Sequence, residues 1–264
     1  MAPLVSIVTT CFNASATIGE TLRSVDALTA LQPVRIEHVV VDGASTDSTM
    51  DIVRRHPSPI REAVSERDSG IYEGMNRGLA RARGDYVWFV NADDLVHPRL
   101  LEAWGEFVQV LEERPAIVVG ELEMFRVVGG ATRTTRYWSV PGRVGVARRF
   151  GWHPPHPAFV ARRALLRDIG GFDQSKRVAG DYKLMTALLG TVGDDVALFP
   201  RPLVAMREGG ASNGSWQAIV RANRECYASL RELGESSCSA ALSIGLKLLR
   251  KVGQRVAPAP RAIR

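Results

Sequence analysis

With 264 residues, 45% of them hydrophobic and 23% charged, the chain can build one large globular domain or two small ones, and a disordered or fibrous protein is excluded. The net charge of +6 does not mark a nucleic-acid binder. From Ser236 onward there are six basic residues (Lys247, Arg250, Lys251, Arg255, Arg261, Arg264) and no acid, so the remainder balances. No apolar run approaches the ~18 residues of a membrane-spanning helix. The start "MAPLVSIVTT" has no basic leader-like region, and Cys11, Cys226 and Cys238 form no CxxC pair, so a reducing cytoplasm is expected.

In chain order, "LVSIVTT" (4–10) reads as a strand, followed by an amphipathic stretch 15–28 with Ile18, Leu22 and Val25 at helical spacing. "IEHVVV" (36–41) is a second strand, followed by helix-like "DSTMDIVRRH". "REAVSE" (61–66) is a weaker third, with helix-like "GIYEGMNRGLARAR" (70–83) after it. "DYVWFV" (85–90) is the fourth, and a helix over 98–113 opens on Pro98, a favoured first helical position. The second half offers strands at 116–126 and 131–138 and helices near 180–190 and 215–233. Strand–helix alternation with short connections predicts an α/β fold with a doubly wound, mostly parallel sheet.

Ligands of such sheets bind beyond the carboxyl ends of the strands. There the sequence sets Thr10 and Asn13, then Asp42, then Glu66 and Asp68, then Asn91, Asp93 and Asp94. One such acid is readily a turn former or helix cap, and Ser45 and Asp47 look like caps. Acids after three strands, with none expected at the opposite ends, form a pattern of their own. No GxGxxG follows the first strand and no GxxxxGK[ST] is present. Carboxylates at a crevice suit a hard divalent cation, which brings phosphates with it, so a nucleoside-diphosphate ligand is expected.

Four segments carry a resemblance: "VSIVTTCFNASATIGETLRSV", "HVVVDGASTDST", "SERDSGIYEGMNRGLARARGDYVWFVNADD" and "GFDQSKRVAGDYKLMTAL". Together they resemble the family 2 glycosyltransferases of GT-A fold, over roughly residues 4 to 233. "GIYxxMNxG" with a later "GGxS" (Gly209-Gly210-Ala211-Ser212) is similar to the subgroup of bacterial exopolysaccharide and glycolipid assembly, including fucosyltransferases of colanic-acid type. The resemblance implies a nucleotide-sugar site at the carboxyl strand ends and an inverting transfer from a UDP- or GDP-linked sugar to a hydroxyl of a glycolipid or polysaccharide precursor. Mn2+ or Mg2+ would assist. It implies that Thr10, Asp42, Asp68 and Asn91 contact the nucleotide, with Asp42 accepting from the base edge. Asp93 would ligate the cation, Asp94 would lie near metal and donor sugar, and Asp181 would be the catalytic base. His156, Gly210 and Ser212 are candidates for acceptor or phosphate contact.

Two departures stand out. Asn91 occupies the first position of the DxD-like motif, where an acid is usual, and His156-Pro157 stands where the subgroup often has His-Gln. Asp181 opens a helical pattern with Tyr182, Met185 and Leu189, so it could instead cap that helix. Arg148, Arg149, Arg162, Arg163 and Arg167 flank "HPPHP" and could meet a phosphorylated, lipid-linked acceptor. The division expected is a transferase domain over 1–235 and a basic tail over 236–264, which could lie on an anionic membrane at the inner face of the cell or be merely solvated. Two alternatives share the acids: a sugar-1-phosphate nucleotidyltransferase and a non-catalytic nucleotide-sugar-binding partner. "TTCFNASAT" lacks the glycine and basic residue that the former uses on a triphosphate.

Overall fold

The computed structural model describes residues 4–31, 35–57, 60, 62–209 and 216–256. The strands are β1 (Leu4–Cys11), β2 (Arg35–Asp42), β3 (Glu62–Ser65), β4 (Tyr86–Phe89), β5 (Leu95–Val96), β6 (Ile117–Val128), β7 (Ala131–Trp138), β8 (Phe159–Arg162) and β9 (Val196–Arg207). The helices are α1 (Ile18–Thr29), α2 (Thr49–Arg54), α3 (Ile71–Arg81), α4 (Pro98–Glu102), α5 (Trp104–Glu112), α6 (Val144–Arg149), α7 (Arg163–Asp168), α8 (Gly180–Val192), α9 (Trp216–Glu232) and α10 (Ser237–Val256). One sheet runs β3-β2-β1-β4-β8-β6-β9-β5, with β7 paired to β6.

The expected parallel, doubly wound arrangement holds across β3-β2-β1-β4. Beyond β4 the sheet is mixed: β8 runs antiparallel to both neighbours, while β6 and β9 are parallel to each other. Alternate residues feed two cores. Ile7, Trp88 and Val90 join Leu100, Trp104 and Phe107 on one face, and Val8, Val87 and Phe89 join Tyr72, Met75 and Leu184 on the other. Strands buried on both faces read as continuous apolar runs, which is why β1, β2 and β4 stand out in the sequence.

The helix expected over 98–113 is two helices, because Ala103 leaves helical geometry at φ −98°, ψ 15°. Within the tail expected over 236–264, α10 packs on α9 and β7, and residues 257–264 lie outside the described residues. Acids are not confined to the carboxyl ends either. At the amino ends Asp85 accepts from the Leu4 N–H at 2.9 Å, and buried Glu37 accepts from the Ser6 hydroxyl and the Arg83 N–H. Both hold backbone there.

Candidate active site

In-register pairing brings the carboxyl ends together: Cys11 lies opposite Asp42, and Asp42 opposite Ser65. Thr10 donates its hydroxyl to Asn91 Oδ1 at 3.1 Å, and the Ala92 N–H donates to the Thr10 carbonyl at 3.2 Å, tying β1 to the loop after β4. Asp42 is the acid expected to accept from the base edge. It is fully buried, and its carboxylate accepts from the Ser45 N–H at 2.9 Å, from the Ser65 hydroxyl at 2.6 Å, and from the Ser45 hydroxyl. With the Cys11 thiol 3.6 Å from Oδ1 as well, Asp42 latches its own turn. Asp68 is the more accessible carboxylate on this side. Its Oδ1 accepts from the Gly70 N–H at 3.1 Å, and its Oδ2 lies where a side chain at Gly43 would begin, 2.8 Å from that Cβ position. Burial pushes its carboxyl up.

Asp93 is half-buried, and burial raises its carboxyl as well. Asp94 is 1% exposed. Its Oδ1 accepts weakly from the Arg207 N–H at 3.3 Å, and its Oδ2 is buried without a partner. Burial, then the charge of Asp93, hold Asp94 well above the usual carboxylate range. An orphaned buried oxygen beside a second carboxylate fits a divalent cation, which often takes one or two protein carboxylates and completes its shell with substrate phosphates. Among the described residues no group of three or more His, Cys, Asp or Glu gathers to hold a metal.

Asp181 lies on α8 at the wall of a cavity of about 150 Å3. It is not the N-cap residue, although it does hold one N–H group of the first helical turn. Ala179 is the cap residue, and Glu225 of α9 accepts from the N–H groups of Arg177, Val178 and Ala179 at 3.1, 2.9 and 3.0 Å. The carboxylate at 181 instead takes the Tyr72 hydroxyl at 3.1 Å and the Tyr182 N–H at 2.8 Å, both on Oδ1. Burial, reinforced by the charge of Asp181, raises the Tyr72 phenol far above its ordinary value, so it stays a donor. Gly180 is glycine because a Cβ there would lie 2.8 Å from the Tyr72 ring. His156 also lines the cavity, 5.7 Å from the Phe89 ring and 5.5 Å from Phe172, and burial lowers its basicity so that it is neutral. It is buried, not solvated. Gly210 and Ser212 lie outside the described residues.

Residues 6–170 match the family description Glycosyl transferase family 2. The chain belongs to that family. An uncharacterized glycosyltransferase of Mycobacterium tuberculosis is 30% identical over 191 residues, 70% of this chain and 68% of the relative. A PGL/p-HBAD biosynthesis glycosyltransferase of the same species is 31% identical over 188 residues, 69% and 68% of the two chains. Among solved structures, Staphylococcus aureus TarS 1-349 with UDP-GlcNAc superposes with a TM-score of 0.65 at 19% identity, covering 94% of this chain and 72% of that one. The mannosyltransferase PcManGT of Pyrobaculum calidifontis, in complex with GDP-Man and Mn2+, gives a TM-score of 0.62 at 21% identity, covering 98% and 77%. The fold is that of GT-A glycosyltransferases.

Sequence reasoning missed two residues near Asp181. Glu225 has no local signal beyond being an acid within an amphipathic helix. Lys247 of α10 lines the cavity, although the tail reads as either membrane-bound or solvated. The arginines beside "HPPHP" do not gather at the cavity: Arg162 Nε donates to the Pro115 carbonyl at 3.1 Å and Arg163 Nε to the Gly84 carbonyl at 2.8 Å. Arg167 is exposed, and the side chains of Arg148 and Arg149 lie outside the described residues.

Proposed function

We propose that this glycosyltransferase moves a sugar, with inversion, from a UDP- or GDP-linked donor to a hydroxyl of a glycolipid or polysaccharide precursor, as in bacterial exopolysaccharide assembly. One observation carries the reading: a carboxylate held by a tyrosine at the wall of a cavity, beside a second site where a buried acid keeps one oxygen unpartnered. Thr10, Asn91 and Asp68 would meet the nucleotide, and Asp93, with Asp94 behind it, would hold Mn2+ or Mg2+. When bound, the cation neutralises charge on the departing diphosphate. Asp181 takes the proton of the acceptor hydroxyl while that oxygen bonds the anomeric carbon and the carbon–oxygen bond to the diphosphate breaks. The Tyr72 hydroxyl and the Tyr182 N–H fix Oδ1 and aim Oδ2 at that proton. His156, neutral and packed between aromatic rings, shapes the acceptor wall.

The two sites are contiguous. Met206 lines the cavity and the next residue, Arg207, binds Asp94, while Phe89 stacks on His156 two positions before Asn91. We expect UDP or GDP to raise the melting temperature, more so with Mn2+, because a ligand of the native state stabilises it by mass action. Pyrophosphate release from a nucleoside triphosphate and a sugar-1-phosphate would instead make the protein a nucleotidyltransferase. Donor binding without transfer or hydrolysis in any acceptor mixture would make it a binding partner.

No described helix is long and apolar enough to cross a membrane. The outer face of α10 nevertheless exposes Leu242 (62%) and Leu249 (69%), with the exposed Arg250 beside them. We infer a cytoplasmic enzyme held peripherally on anionic lipid by this face. The full-length chain should co-sediment with phosphatidylserine vesicles at low salt and be released by added salt. Leu249→Glu should abolish the binding. Failure of the wild type to sediment at low salt would remove the membrane role.

A further inference from the structure

The cavity beside Asp181 is walled mainly by apolar side chains, Leu122, Met124, Trp138, Met185 and Met206 among them. Two cations reach it. Arg136 lies over the Trp138 ring at 4.5 Å, and Lys247 comes from α10, whose backbone presses so closely on Gly151 that a Cβ there would sit 2.5 Å from the Lys247 nitrogen. The Lys247 ammonium is 3.0 Å from the Cys226 sulfur and 4.8 Å from the centre of the Tyr182 ring. Both partners are neutral, since burial pushes the Cys226 thiol up despite the opposing charge of Lys247. Among the described lining residues Asp181 is the one acid. A half-buried ammonium beside a thiol and an aromatic face is under-neutralised, and an anion would satisfy it.

We propose that Lys247 is a substrate-binding residue that selects an acceptor carrying a phosphate group next to an apolar body. This rests on reading the cavity as the acceptor site. The phosphate could in principle belong to the acceptor or to the donor's diphosphate. The position of Lys247 on the α9–α10 wall, within the apolar cavity, favours the acceptor. Selection then has two parts: the apolar lining takes the body of the acceptor, and the ammonium takes its charge.

The test uses the full chain and two probes of matched shape, benzyl phosphate and benzyl alcohol, titrated calorimetrically. One charge-assisted contact should make benzyl phosphate bind about 10-fold more tightly than the alcohol. Lys247→Met keeps the aliphatic stem and should bring the two probes within about twofold, while Lys247→Arg keeps the preference. UDP and GDP binding should be unchanged in Lys247→Met. Equal binding of the probes by the wild type, which needs no variant, overturns the proposal, and so does a preference that survives in a folded Lys247→Met. Loss of nucleotide binding in that variant would assign the lysine to the donor phosphates and overturn it as well. A phosphate preference without nucleotide binding would keep this site and remove the transferase reading. Nucleotide binding without a preference would do the reverse.

Discussion

Asp181→Asn should lower glycosyl transfer by a factor of about 10² or more and leave the melting temperature and donor binding unchanged. The substitution keeps an oxygen able to accept from the Tyr72 hydroxyl and the Tyr182 N–H, so the side chain stays where it is. What it removes is the capacity to take a proton. The one helix-terminal N–H that Asp181 holds, that of Tyr182, is kept by an asparagine oxygen, so loss of a structural role is not what the substitution tests. Initial-rate and calorimetric measurements on the purified variant decide the matter. A folded protein with near wild-type turnover would reject Asp181 as the base.

The second large effect is expected at Asp93. Asp93→Asn should abolish transfer and remove the gain in donor affinity that Mn2+ gives the wild type. Its thermal behaviour should run the other way. Burial disfavours the charged carboxylate at 93, and that charge in turn works against Asp94. Neutralising it should leave the melting temperature unchanged or higher, a trade of stability for function common at charged sites. Transfer retained in excess Mn2+ would show that the cation is held elsewhere. A marked drop in melting temperature would mean that Asp93 is structural.

How much of this was legible varies by element for physical reasons. β1, β2, β4, α1 and α3 are readable because strands buried on two faces and helices buried on one leave strong, distinct patterns. β9 is not. Pro200 and Pro202 argue against a central strand, and they are accommodated only because the pairing with β6 shifts register around Gly120 and Glu121. β5 has two residues and β8 four, too short for any periodicity. Among the site residues, Asp93 and Asp181 came from motif and resemblance. The closed latch around Asp42 depends on Ser65, 23 residues away, and no local pattern announces it. Glu225 and Lys247 escaped for a related reason: a charged residue on an amphipathic helix reads as solvent-facing until tertiary packing turns it inward.

The strand β9 links the two halves of the site residue by residue. Met206 lines the cavity, and the backbone N–H of Arg207 holds Asp94. Neighbouring positions on a single sheet-bound strand cannot swing independently, so β9 offers no hinge between the cavity wall and Asp94. The spacing between that wall and Asp94 is therefore set when the chain folds, like the gap between two teeth of a comb.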